Sequence, residues 1–374
     1  MKLTIKKEYL LNALNKVSKA ISTKNLIPVL AGIKFEVKKK RLILTASDND
    51  ITIQTMIEAN DDDFKIESEG SIIIQGKYIL DIVRKLPDQY INIEVVDELK
   101  ILIYTENSEF NLNGISESEY PNIGLEESKK KVHIKASIFK DIVNQTAFAA
   151  SNEESKPVLT GINFNIVGDV LECNSTDSYR LARKVVKLES ASEENYNIVI
   201  PSHNILEFSR IIDDEDGDIE LHVFNNKILF KTGNLKFESR LINGTYPNTS
   251  NLLPEDSNLI VSTNLNAFYD VIDRVSILTS DKEKNIVTLE TKGDILVLKS
   301  SSVEIGRVEE KMPITKNNDE DIKISFSAKY MMEALKSFST ETVDIHFVGE
   351  IKPILIKSSE DETLTQLVLP IRTY

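Results

Sequence analysis

Ile27-Pro28-Val29-Leu30-Ala31-Gly32-Ile33-Lys34-Phe35-Glu36-Val37 returns 129 residues later as Lys156-Pro157-Val158-Leu159-Thr160-Gly161-Ile162-Asn163-Phe164-Asn165-Ile166. No gap is needed, and Pro, Val, Leu, Gly, Ile and Phe coincide. The match runs on to Leu42 over Leu171 and Asp48 over Asp177. A fainter third copy begins at Asn285, where Gly293-Asp294-Ile295-Leu296 echoes Gly168-Asp169-Val170-Leu171. Further along each copy, Ile74-Gln75-Gly76-Lys77-Tyr78-Ile79-Leu80 answers Ile200-Pro201-Ser202-His203-Asn204-Ile205-Leu206, then Phe326-Ser327-Ala328-Lys329-Tyr330-Met331-Met332, at a spacing of 126. Tyr120-Pro121-Asn122 returns as Tyr246-Pro247-Asn248. A period this long is a whole domain, not a solenoid unit of roughly 20 to 50 residues. The 374 residues therefore divide into 1–126, 127–256 and 257–374, with boundaries at the polar stretches Glu126–Lys131 and Pro254–Ser257.

Each copy carries two helical patterns among short alternating strands. The first helices are 7–20, 137–149 and 265–278, and the second are 76–86, 203–212 and 328–338. Leu10, Leu11, Leu14 and Val17 share one face of the opening helix, as do Ile138, Ile142, Val143 and Thr146 in its counterpart. In the third copy the face is Phe268, Val271, Ile272 and Val275, and Ile79, Leu80 and Val83 point inward from the helix at 76–86. Leu42–Ala46 and Ile91–Val96 are rich in β-branched residues and read as strands. The fold class is α+β: three tandem copies of a domain with two helices packed on antiparallel sheet.

Composition removes several functions. Apolar residues are 41% and charged residues 28%, as in a globular protein, and the net charge of −14 argues against a surface that grips nucleic acid everywhere. One cysteine, Cys173, excludes a disulfide framework and a cysteine-cluster zinc site. The start alternates apolar and polar residues and no run approaches the roughly 20 needed to span a bilayer, so a cytoplasmic protein with no membrane partner is expected. Four histidines stand at no metal-ligand spacing, and neither a nucleophile elbow nor a phosphate-binding loop is present. The acidic run Asp213–Asp218 fails as a calcium loop, because Ile212 and Val223 would occupy its first and twelfth positions. No catalytic residue, cofactor or metal is expected.

Charge is uneven. The six helical segments hold eleven basic residues (Lys7, Lys16, Lys19, Lys77, Arg84, Lys85, Lys140, Arg210, Arg274, Lys329, Lys336) against seven acidic, a net of +4 that leaves −18 for the rest. An acidic body with basic helices can present them to a polyanion. A protein-binding repeat scaffold and an enzyme with paired carboxylates are the rival readings. The enzyme predicts unequal domains around one cleft, which a triplicate does not offer.

The quoted repeats, with Ser175-Thr176-Asp177-Ser178-Tyr179-Arg180-Leu181-Ala182, Gly244-Thr245-Tyr246-Pro247 and Leu369-Pro370-Ile371-Arg372, resemble the bacterial replicative sliding clamps, the beta subunits of DNA polymerase III, over the full length. The resemblance implies half of a closed ring: a head-to-tail homodimer of six domains, helices lining a hole around double-stranded DNA, read without regard to sequence. It implies DNA-facing roles for the basic helical residues and for Lys24. It also implies a hydrophobic cleft that takes short linear peptides from the replicative DNA polymerase, the clamp loader and repair proteins. One wall is Leu159, Thr176, Ser178, Tyr179, Arg180, Leu181, Pro247 and Leu252; the other is Ile351, Pro353, Val368, Leu369, Pro370, Ile371 and Arg372. Arg180 and Arg372 are expected to pair polar or acidic peptide groups. The ring contact is expected between Phe110 and Leu112 of one copy and Ile277 and Leu278 of the other. Leu369 and Ile371 stand where many relatives have methionine, and Thr373-Tyr374 extend the tail.

Overall fold

The computed structural model describes residues 1–21, 27–60, 62–213, 217–254, 256–279, 285–302 and 304–372. Six helices alternate with antiparallel strands in the order the repeat requires: α1 (Lys7–Val17), α2 (Gly76–Lys85), α3 (Ala136–Thr146), α4 (Ser202–Ile211), α5 (Leu265–Ser276) and α6 (Ala328–Lys336). The last turns of the first and third patterns tighten to 3-10 geometry at Ser18–Ala20 and Ala147–Ala149. Ile277 and Leu278 lie in a turn beyond α5. Leu10, Leu14 and Val17 are buried as the spacing predicts, but Ala13 replaces Leu11 in the core, and Phe139 is fully buried where Ile138 is only half so. The expected faces are thus rotated slightly, toward the residue whose Cβ lies over the sheet.

Residues 1–137 with 203–241 form one compact unit, and 138–202 with 242–374 the other. In the first unit an eight-stranded sheet joins the first copy to half of the second: the strand Leu235–Arg240 pairs with Ile51–Glu58, Ser239 opposite Ile51 and Leu235 opposite Thr55. A five-stranded sheet completes the first copy and ends at the strand Glu109–Asn113. Phe208, Phe230 and Phe237 fill part of the core with ring centroids 4.7 and 5.1 Å apart.

The second unit repeats the plan. A nine-stranded sheet joins the other half of the second copy to the third, the strand Arg180–Lys187 pairing with Asp361–Val368. A four-stranded sheet ends at Gly306–Pro313. The core beneath α5 and α6 includes Phe268, Phe326 and Phe347. Both helices start on side-chain caps, Asn264 Oδ1 accepting the Ala267 N–H and Ser327 Oγ that of Tyr330.

The glycine of the repeated motif has a steric cause. Gly32 and Gly161 each follow a 3-10 turn that begins at the repeated proline. A Cβ on Gly32 would lie 2.3 Å from Ile73 Cγ2, and one on Gly161 2.7 Å from the Ile200 carbonyl. Two backbones approach here more closely than a side chain permits.

Candidate peptide cleft and basic helices

A tight turn, 176–180, sets the cleft. Thr176 Oγ1 donates to the Arg180 carbonyl at 2.5 Å, and Asp177 Oδ1 accepts the N–H groups of Tyr179 and Arg180 at 2.9 and 3.1 Å. Ser178 between them takes a left-handed φ of 79°. The Thr176 N–H donates to the hydroxyl of Tyr246 at 3.0 Å, a phenol whose pKa burial pushes up. This arrangement leaves Tyr179 58% exposed, its ring stacked on Tyr330 at 6.4 Å.

Arg180 plays a different part from the one expected. Its Nε donates to Asp177 at 2.9 Å, one terminal nitrogen pairs with Glu333, and the other donates to the Phe148 carbonyl at 2.6 Å. The guanidinium also lies over the Tyr330 ring at 4.6 Å. A buried, fully engaged guanidinium positions the Tyr179–Tyr330 wall rather than waiting for an acidic peptide group. Arg372 is exposed.

Strand alternation sorts the rest. Leu181, Leu367 and Leu355 stand abreast on one face of the sheet, with Leu253 and Leu369 packed on them. Leu252 (48%) and Ile351 (63%) form exposed shoulders, Pro247 is exposed, and Leu159 packs with Val199 and Tyr246. Pro353 is half-buried. Val368 faces the other way and is wholly buried in the core under the helices, with Ile354. The tail is tied down: the Leu369 N–H donates to the Tyr179 carbonyl at 2.9 Å and that of Ile371 to the Ser325 carbonyl at 2.7 Å, with Pro370 between them needing no partner for a donor. Thr373 and Tyr374 lie outside the described residues. Tyr330, Glu333, Phe148, Leu253, Leu355 and Leu367 were missed by sequence reasoning. The three leucines could have been found by stepping two residues along each strand from Leu181, Pro353 and Leu369.

The basic helical residues are mostly engaged within the chain. Lys16 meets Asp213 at 3.1 Å, Lys19 meets Glu207 at 3.8 Å, and Arg210 shares Glu207 at 2.5 Å. Arg84 is 3.7 Å from Asp81, and Arg274 forms a forked pair with Glu310, whose carboxyl it holds below its ordinary pKa. Lys7 donates to the Arg84 carbonyl at 3.2 Å and to that of Leu86, so its charge sits at the C-terminal end of α2. Lys336 lies over the Tyr269 ring at 5.3 Å. Lys140 is half-buried. Lys77, Lys85 and Lys329 are exposed, and no ion pair forms at them among the described residues. Lys24 lies outside the described residues.

One cluster has the makings of a cation site. Glu127, Glu220 and His222 bring ligand atoms within 4.8 Å of one another. Lysines already neutralise the carboxylates: Lys231 and Lys236 reach Glu127 at 2.7 and 2.8 Å, and Lys131 reaches Glu220 at 2.7 Å. The two bonds hold the Glu127 carboxyl down to about 2. His222 lies 3.1 Å from the Ser128 carbonyl, so the cluster straps the connector after the first copy onto the sheet.

The residues expected at the ring contact lie at element ends. Phe110 (36% exposed) and Leu112 are on the edge strand Glu109–Asn113, while Ile277 (72%) and Leu278 follow α5.

Three family models match in succession: the N-terminal, central and C-terminal domains of the DNA polymerase III beta subunit, over residues 1–124, 133–248 and 250–372. The chain is 38% identical over 377 residues to the beta sliding clamp of Staphylococcus epidermidis, with all of both chains covered. The crystal structure of the DNA polymerase sliding clamp from Bacillus subtilis superposes with a TM-score of 0.96 at 37% identity, and that of the beta subunit from Streptococcus pyogenes with 0.95 at 30%, each over the whole of both chains. Together with the triplicate fold, these matches establish that the chain belongs to the DNA polymerase III beta-subunit family, the bacterial beta sliding clamps, which are non-catalytic processivity factors in DNA replication.

Proposed function

We propose that two copies of this chain, each made of domains 1–126, 127–256 and 257–374, close head to tail into a ring that encircles duplex DNA in the cytoplasm. The observation that carries this reading is the pair of open sheet edges. Glu109–Asn113 in the first copy and Gly306–Pro313 in the third have one ladder neighbour each among the described residues. Open edges invite pairing with another chain, and a heterologous contact that uses both of them closes when the rotation per step fits. Phe110 and Leu112 then meet Ile277 and Leu278 of the second copy. The largely neutralised helices suit a ring held by topology, since strong phosphate contacts would slow sliding. No described helix is long and apolar enough to cross a membrane.

Tethering falls to the cleft at Tyr179, Leu181, Leu252, Ile351 and the tail Leu369–Arg372. Its occupants are short peptides with an apolar anchor, carried by the replicative polymerase, the clamp loader and repair proteins. Light scattering tests the ring: the chain should run at twice its monomer mass, and Phe110→Asp or Ile277→Asp should reduce it to the monomer while peptide binding persists. A dimer undisturbed by both substitutions rejects the edge assignment.

A further inference from the structure

The apolar row Leu181–Leu367–Leu355 does not end the groove. Two residues along each strand the same face carries Arg183, Thr365 and Lys357, with Arg183 opposite Thr365 just as Leu181 is opposite Leu367. At about 3.3 Å of rise per residue, this polar row lies roughly 7 Å from the apolar one. Ser250, Leu253 and Pro254 close over it, leaving a cavity of about 300 Å3. Leu253 is shared with the apolar row, so the two spaces are continuous.

The donors in this cavity are unevenly used. A terminal nitrogen of Arg183 holds Glu172 at 2.9 Å, but its Nε–H is buried without an acceptor. A buried donor left unpaired is costly, and such groups normally find a partner. Lys357 falls where the ladder between its strand and the last strand loses register, between Ile356 and Ser358. It makes no ion pair within 4.0 Å among the described residues. Asp344 stands opposite Lys357 on the neighbouring strand but accepts from the Ser262 hydroxyl at 2.5 Å. One unused N–H and one unpaired ammonium thus converge beside an apolar docking surface.

We propose that this annex takes the side-chain carboxylate of an acidic residue one or two positions from the apolar anchor of the tethered peptide. The Arg183 Nε–H and the Lys357 ammonium are its donors. The proposal rests on reading the neighbouring cleft as the peptide site. An extended peptide covers the roughly 7 Å between rows in two residues, so an acid at that distance reaches the donors with its anchor seated. The annex thereby ranks ligands that share the same anchor.

The test is a titration of the full chain with short fluorescent peptides that carry a Leu-Phe anchor in a neutral background. A single Glu or Gln is placed in turn one, two and four positions away. The Glu peptide should bind about threefold to tenfold tighter than its Gln twin at the near positions and equally at the far one. Lys357→Gln and Arg183→Lys should each shrink that preference while leaving the Gln peptide unchanged. Arg183→Lys keeps a positive charge for Glu172 but lacks the Nε–H. If it fails to fold, Lys357→Gln decides alone. Equal binding of the Glu and Gln peptides, or a gain from Glu at every position alike, overturns the annex while the cleft stands. Failure of every peptide to bind removes the cleft and the annex with it.

Discussion

The strand Leu235–Arg240 on Ile51–Glu58 and the strand Asp361–Val368 on Arg180–Lys187 are one joint built twice. Asp48 Oδ1 accepts two N–H groups at 2.7 Å in the first, as Asp177 Oδ1 does in the second. The Arg240 N–H donates to the Asp50 carbonyl at 3.0 Å, as that of Leu369 donates to the Tyr179 carbonyl at 2.9 Å. Two residues later, Ile242 donates to the Val199 carbonyl at 2.9 Å and Ile371 to the Ser325 carbonyl at 2.7 Å. The backbone is the same; the side chains are not. Asp50 and Arg240, both exposed, line the first joint, whereas Tyr179, Leu369, Pro370 and Ile371 line the second. A binding surface therefore arises from a few apolar substitutions on an unchanged backbone. The C-terminal tail is the third copy's version of the connector at 240–242, not an appendage.

The largest way to break the comparison is to cut into each joint's core. Leu181→Ala and Ile51→Ala should each destabilise the fold by about 2–5 kcal/mol, read from urea unfolding, because both side chains are buried. Only Leu181→Ala should also weaken the anchor peptide. Equal peptide affinity for the two variants would remove the functional difference between the joints. Next, ending the chain at Val368 should cost roughly 2 kcal/mol in peptide binding, well over tenfold, through lost anchor contacts. The dimer should persist by light scattering, and its loss would make the tail part of the ring contact. Smaller again, Tyr179→Asp makes the second turn resemble the first and should weaken the peptide about fivefold, since it removes the ring stacked on Tyr330. Asp50→Tyr at the first joint should leave peptide affinity unchanged.

Acid sharpens the comparison last and least. Glu127 straps the connector on the first joint's sheet, and its carboxyl is held at about 2 against an ordinary 4.5. A lowered acid contributes its stabilisation in full above the ordinary value and loses it as pH falls toward the lowered one. The stability difference between the parent and Glu127→Gln should therefore be constant above about pH 5 and shrink below about pH 4.5. A difference that grows on acidification would contradict the strap. The effect should be small, because the pair is partly exposed.

The repeat made most of the fold legible. Aligning Asp48 with Asp177 already marks the two turns, and Gly32 with Gly161 marks the close approach behind them. The burial of Val368 was also within reach, since it alternates with Leu367 and Leu369. What stayed hidden has a physical reason. Arg180 is held by Glu333, 153 residues away, and by a backbone carbonyl, which no side-chain pattern announces. Lys16 is neutralised by Asp213 at a separation of 197. The kinship of the tail with 240–242 is one of backbone hydrogen bonds, and of its three residues only the isoleucine repeats.

Retention on DNA tests the central claim most directly. Protein assembled by its loader on a nicked circular duplex should survive a high-salt wash and leave promptly when a single cut linearises the circle. Encirclement, unlike surface binding, is indifferent to salt and sensitive to ends. Equal retention on the circle and on the linear product would contradict a ring that holds DNA by topology.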